Sequence, residues 1–236
     1  KAAERAKKEE AEIARERASA AAKAAAILQA STDAKPDHPY LVRKQVSPVA
    51  TLQEIDAGAA AAILGYVPKS GGEPLAGRLL VVPVEQGDRL STLELIDGDG
   101  RKAALAGRGS KAGGYWANER LPDGDGNGLT LLIGEGVATV LSAAEASGRP
   151  AIAALSAGNL LAVAKAMRKR YPAAALVMLA DLIKATGEPD PHAVAAAQAV
   201  SGALAAPDFG SDRDPDKKDF NALAAACGAE AVARAI

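Results

Sequence analysis

Two acidic residues stand where the chain could do chemistry. Glu135, set between Gly134 and Gly136, follows the apolar run Leu129-Thr130-Leu131-Leu132-Ile133, and Asp181 directly follows a second apolar run at 174–180. Both runs read as strands of one largely parallel sheet, in which functional groups gather just past the carboxyl ends of the strands. Two carboxylates at one sheet edge make a hard oxygen site suited to Mg²⁺, and either one could instead act as general acid or base. The flanking glycines are expected to let the backbone turn sharply and a bulky ligand approach Glu135. An acid at a strand end also caps the helix that follows, and spacing alone leaves both readings open.

The elements that must position these acids come from the pattern of apolar runs. Strands are predicted at 129–133, 150–155 and 174–180, alternating with helices at 137–146, 159–170 and 192–204. Such alternation implies right-handed crossovers and a parallel sheet. The continuously apolar strands imply helices on both faces. Upstream, the runs 79–84 and 90–96, the Asp97-Gly98-Asp99-Gly100 turn, and short strands at 103–106 and 115–117 read as a β meander. Residues 52–64 read as a short helix, and the Gly/Asp-rich stretch 121–128 as a linker. Residues 1–30 read as one long helix of interleaved charges and alanine, a solvated lead-in with nucleic-acid binding as the lesser reading. The expected division is a charged helix over 1–32, a small α+β domain over 33–128, and an α/β domain over 129–236.

Composition excludes several classes. The net charge of −1 gives no global positive field for nucleic acid, so polyanion binding would need local basic patches. The single Cys227 permits no intrachain disulfide and no cysteine-based zinc site, which fits a reducing cytoplasm. No apolar run approaches the ~20 residues of a membrane span, and the charged start has no secretory signal. The chain starts at Lys rather than Met, so a piece of a longer protein is expected.

Four motifs occur in a telling order: Gly134-Glu135-Gly136-Val137-Ala138-Thr139, Ala154-Leu155-Ser156-Ala157-Gly158-Asn159-Leu160, Leu179-Ala180-Asp181, and Lys218-Asp219-Phe220-Asn221-Ala222-Leu223. Together they resemble the Toprim domain of plasmid- and phage-borne primases and primase–helicases. The stretches His38-Pro39-Tyr40-Leu41-Val42-Arg43-Lys44, Leu80-Val81-Val82-Pro83-Val84, Leu93-Glu94-Leu95-Ile96 and 107–114 are similar to the segment that precedes Toprim in those proteins. The resemblance covers roughly residues 36–236. It implies a Toprim-like, mostly parallel sheet flanked by helices, preceded by the smaller α+β domain and the N-terminal helix. The zinc-binding module of such primases would lie upstream of Lys1.

The resemblance also implies roles. Glu135 takes the place of the family's glutamate, a metal ligand or general acid/base in phosphoryl transfer. Asp181 takes the place of the first aspartate of an Asp-x-Asp pair. Mg²⁺ or Mn²⁺ would offset the charge that nucleotidyl transfer develops. Ile183 stands where the second aspartate is expected and cannot bind a metal. Asp212 and Asp214 are the candidate replacements, with Asp190, Asp208 and Asp216 as further acids, although so dense a charge run also reads as a solvated loop.

Template binding needs a basic track. Arg43 with Lys44, Arg101 with Lys102, and Arg108 with Lys111 cluster upstream. Asn159, Lys218, Asp219 and Asn221 are carried over from the motifs as nucleotide or nucleic-acid contacts, with helix capping the alternative for the last two. Arg168-Lys169-Arg170 reads as cations complementing a helix C-terminus. Tyr115 and Trp116 could stack on bases or fill a core. His38 and His192 show no metal-ligand spacing, and the glycines around Lys111 lack the ending of a P-loop. The expected function is the catalytic core of a DNA primase, making short RNA primers on single-stranded DNA beside a helicase. The alternatives are a Toprim nuclease and a degenerate nucleic-acid-binding module.

Overall fold

The computed structural model describes residues 2–105, 112–211 and 213–236. The chain divides into two compact units. One comprises residues 1–43 and 52–114, the other 44–51 and 115–236.

The first unit begins with helix α1 (Ala2–Ala30) and continues through β1 (Thr32–Asp33), α2 (Pro39–Lys44), β2 (Gln53–Asp56), α3 (Ala57–Leu64), β3 (Lys69–Ser70), β4 (Glu73–Pro74), β5 (Arg78–Gln86), β6 (Arg89–Ile96) and β7 (Lys102–Ala104). An antiparallel sheet runs in the order β1-β2-β5-β6-β7. The charged helix is not a free lead-in. Its first part is exposed, but Ala24 and Ile27 are buried with Ile55, Leu79, Val81, Leu93 and Leu95 in one apolar cluster. The Ala20, Ala24, Ile27 spacing is a helical stripe, too short to stand out against so many alanines.

The helix expected over 52–64 is half strand. Gln53–Asp56 pairs with β5, and helix α3 starts only at Ala57, where the Asp56 carboxylate caps the Gly58 and Ala59 amides. Asp56, inside the span read as helix, marks by its capping carboxylate where the helix starts.

The second unit contains β8 (Trp116–Ala117), β9 (Thr130–Gly134), α4 (Val137–Ser147), β10 (Ala151–Ala153), α5 (Leu160–Arg170), β11 (Ala175–Leu179), α6 (Pro191–Ala199), β12 (Ala203–Ala205), α7 (Phe220–Cys227) and α8 (Ala229–Ala235). The sheet order is β12-β11-β9-β10-β8, parallel except for β8. Leu131, Ile133, Ile152, Leu176 and Met178 are buried against Leu160, Val163, Met167, Ala193 and Ala196 of α5 and α6. Helix α4 meets α7 and α8. The alanine face of α6 packs closely, as its composition implies.

Three expectations change here. Residues 115–117 do not extend the meander; Trp116 and Ala117 pair with Ala153 and Ile152 in the second sheet. The expected boundary at 128/129 falls instead at 114/115. The stretch 121–128 is anchored to the second unit: Gly126 (φ +84°) lies so close to Tyr171 and Ala174 that no Cβ would fit, and the Tyr171 hydroxyl donates to the Pro122 carbonyl at 2.6 Å. The helix expected over 192–204 stops at Ala199, and 203–205 form an edge strand beside β11. A close turn at Gly202, against the Leu176 carbonyl, separates the two.

Candidate functional site

Strands β9 and β11 are hydrogen-bonded neighbours, so Glu135 and Asp181 leave the same edge of the sheet side by side. Gly134 is required by packing rather than by conformation. A Cβ there would lie 3.1 Å from Val140 and 3.4 Å from Leu179. Neither Gly134 nor Gly136 has a positive φ; Gly136, at −105°, starts α4 with ordinary extended backbone. The chain does bend at Glu135 and Gly136, but without left-handed backbone, and the unusual backbone sits opposite. Leu155 has φ +65° and donates its amide to the Glu135 carbonyl at 2.8 Å. A non-glycine residue held in the left-handed region costs on the order of 1–3 kcal/mol and clusters at functional sites. Here it turns the chain from β10 into the Ser156–Asn159 stretch while fixing the backbone of Glu135.

Asp181 is largely buried. Its Oδ2 accepts a hydrogen bond from Lys218 Nζ at 2.6 Å, and its Oδ1 is buried with no hydrogen-bond partner. Burial pushes this carboxyl above its ordinary range against the pull of Lys218, and Asp219 and Glu135 add to the push. Burial opposes the charge of Lys218, but Asp181, then Asp219 and Glu135, outweigh it and hold the ammonium above its ordinary value. Glu135, Asp181, Asp219 and Lys218 thus form one electrostatic group.

The seating of Lys218 is built from the backbone. Its carbonyl accepts from the Leu182 amide at 2.7 Å. The Arg213 guanidinium donates to the carbonyls of Ile183 (3.3 Å) and Lys184 (2.9 Å) on one side, and to those of Pro215 (3.1 Å) and Lys217 (2.9 Å) on the other. Lys184 is paired with Asp216. Arg213 therefore ties the turn after Asp181 to the segment that delivers Lys218.

The other sequence candidates separate by what they touch. Asp219 caps α7, its Oδ1 accepting from the Ala222 amide at 2.7 Å. Asn221 is buried and donates to the Lys44 carbonyl and the Ser142 hydroxyl. Asn159 is buried and closes the turn after β10 through the Ala154 carbonyl at 2.8 Å. Arg101 pairs with Asp97 and Asp99, and Lys102 lies 4.0 Å from Glu94, so part of the basic track is neutralised in place. The Arg43 guanidinium lies over the Tyr40 ring and against Gly100. Asp214 is exposed and accepts from the Asp216 amide within its own turn. Arg108, Lys111 and Asp212 lie outside the described residues. Tyr115 and Trp116 are buried, so they fill the core rather than wait for bases. Arg168 donates to four carbonyls, among them Val200 and Ala174, which is a structural use.

A resident metal does not fit this arrangement. Among the described residues no group of three or more His, Cys, Asp or Glu side chains is placed to hold one. One oxygen of Asp181 is engaged by an ammonium, the other is buried, and Ile183 offers no donor. Sequence reading missed the Asp181–Lys218 pair, the Arg213 tie and Leu155. The Lys218-Asp219 motif marked the spot but not the partner, and a lone arginine within an acidic run gave no signal.

Residues 130–230 match the Toprim domain family, and the fold is that of primase catalytic domains. The chain is 36% identical over 99 residues to the DNA primase TraC of Escherichia coli, a match covering 39% of this chain and 7% of that protein. It superposes on a DnaG primase catalytic domain bound to single-stranded DNA with a TM-score of 0.53, at 11% identity over 92% of this chain and 78% of that one. The RNA polymerase domain of Mycobacterium tuberculosis primase DnaG gives 0.50, at 16% identity over 93% and 83%. Among the described residues no helix is long and apolar enough to cross a membrane.

Proposed function

We propose that this chain is the catalytic core of a DNA primase, joining ribonucleotides on a single-stranded DNA template in the cytoplasm, in company with a helicase. The observation that carries the reading is the emergence of Glu135 and Asp181 side by side from adjacent parallel strands of a Toprim domain. Glu135, half-buried and backed by Leu155, is suited to take the proton from the attacking hydroxyl. Asp181 and Lys218 fix the charge pattern beside it. The divalent ion, Mg²⁺ or Mn²⁺, belongs in this reading to the incoming nucleotide, whose phosphates carry it. Lys217 and the uncompensated part of the Arg43 and Lys44 cluster are the contacts offered to phosphates.

Incorporation of labelled ribonucleotides on single-stranded DNA, with Mg²⁺ or Mn²⁺, tests the reading. Products a few nucleotides long, lost in Glu135→Ala, are expected. Cleavage of the DNA without synthesis would move the assignment to a nuclease using the same carboxylates. A binding module without catalysis is the second reading, favoured by Ile183 and by the ammonium on Asp181. Intact DNA binding with no product in either chain would establish it.

A further inference from the structure

We infer that Lys218 fills, with an ammonium tethered to the chain, the position at Asp181 that a resident divalent cation would take, so that the cation of this Toprim edge is built in. The inference deepens the Toprim reading of the site but does not depend on primer synthesis.

Three observations meet at this point. Lys218 Nζ lies 2.6 Å from Asp181 Oδ2. A magnesium ion sits about 2.1 Å from its oxygen ligands, so an ion on that oxygen and the ammonium would compete for the same space with like charge. The other oxygen of Asp181 is buried and has no hydrogen-bond partner, so it offers no alternative approach from solvent. At position 183 a carboxylate that would recruit an ion is replaced by Ile183, whose backbone carbonyl accepts instead from Arg213.

The ammonium is not a wandering surface group. Both ends of its segment are fixed, by the Leu182 amide on its own carbonyl and by Arg213 on the carbonyls of Lys217 and Pro215. A surface lysine forfeits most of an ion pair's gain to side-chain entropy; a lysine whose backbone is pinned forfeits less. Lys218 donates to Asp181 alone, while the charges of Asp219 and Glu135 act on the same ammonium, so the edge is left with a net negative charge once the lysine is removed.

The test is Mn²⁺ binding to the whole chain, read by calorimetry and by the loss of free-ion signal in electron paramagnetic resonance, without nucleotide or DNA. Wild type is expected to show no saturable site below millimolar Mn²⁺. Lys218→Met should gain one site at least tenfold tighter, and Lys218→Arg should stay like wild type. Ile183→Asp alone should gain nothing, whereas Ile183→Asp with Lys218→Met should bind more tightly than either. If Lys218→Met does not fold, the Ile183→Asp result decides: a tenfold gain with Lys218 in place overturns the inference. A stoichiometric, tight site in wild type that Lys218→Met leaves unchanged or weakens overturns it as well. Because these readouts need no synthesis, loss of the primase reading and loss of this inference are separate results.

Discussion

Two buried aspartates, one in each unit, are paired with cations in opposite ways. Asp97 in the first unit is 1% exposed, and both its oxygens are satisfied by the residue four positions on: Oδ1 by the Arg101 amide at 2.9 Å and Oδ2 by Arg101 Nε at 2.8 Å. Asp181 is 12% exposed, takes its cation from 37 residues away, and keeps one oxygen unsatisfied. The first arrangement is closed and local, as a turn requires. The second leaves an acid under-satisfied at the edge where a parallel sheet presents its ligands. A buried acid is therefore read by the completeness of its partners, not by its burial.

The sharpest way to test that contrast is to remove the carboxylate that leaves the neighbouring strand beside the open pair. Glu135→Ala is expected to lower primer synthesis by about 10²–10⁴-fold while the melting temperature holds, measured by ribonucleotide incorporation and differential scanning calorimetry. A mutant that instead unfolds would place Glu135 with Asp97 among structural acids. At the closed pair the effect should fall on stability. Arg101→Met leaves Asp97 buried with half its partners and is expected to cost about 1–3 kcal/mol, read by urea denaturation. Lys218→Met should cost less, because Asp181 has more access to water; an equal or larger cost would erase the distinction between the two aspartates.

Packing beneath the site gives a comparable figure. Gly134→Ala forces a methyl to within 3.1 Å of Val140 and should destabilise by about 1–3 kcal/mol, with binding of single-stranded DNA preserved in the folded fraction.

The smallest expected effect concerns pH and the first unit. His38 is buried, its Nδ1 accepting from the Tyr40 amide and its Nε2 lying 3.1 Å from the Arg78 carbonyl, which is the neutral form with the proton on Nε2. Burial lowers its pKa; Glu54 opposes this, the Arg78 charge adds to it, and the hydrogen bond to the Arg78 carbonyl opposes it. The unfolded chain therefore binds a proton that the folded chain refuses. Stability from this group is present above the ordinary histidine value and is lost as pH falls below about 6.5, by at most ~1.4 kcal/mol per pH unit. His38→Gln should flatten the stability slope between about pH 6.5 and 5; an unchanged slope would assign it to other groups.

Much of the site's frame could be read from the residues. The apolar runs before Glu135 and Asp181 specify buried parallel strands, and the alternation with alanine-rich helices follows from the need to cover both faces. Helix α1 was legible through its helix-forming composition. What escaped depends on partners distant in sequence. Residues 115–117 have strand composition, but nothing local says that they join β10 rather than β7. Residues 200–205 look helical until the approach of Gly202 to Leu176 is known. Lys218 is an ordinary lysine in its own neighbourhood and becomes Asp181's partner only when the 182–188 turn and the 213–218 segment are drawn together by Arg213.

The tie between Asn221 and the Lys44 carbonyl, 177 residues apart, sets an order of events during synthesis. The stretch 44–51 belongs to the second unit, yet the ribosome makes it before the whole of 52–114. At about 5–20 residues per second, it emerges some ten to thirty-five seconds ahead of Asn221. During that interval the first unit's sheet can close, while 44–51 has no finished docking place. The unit that holds Glu135 and Asp181 is thus the last whose residues are all made, and the antiparallel sheet has its whole chain available before that unit does.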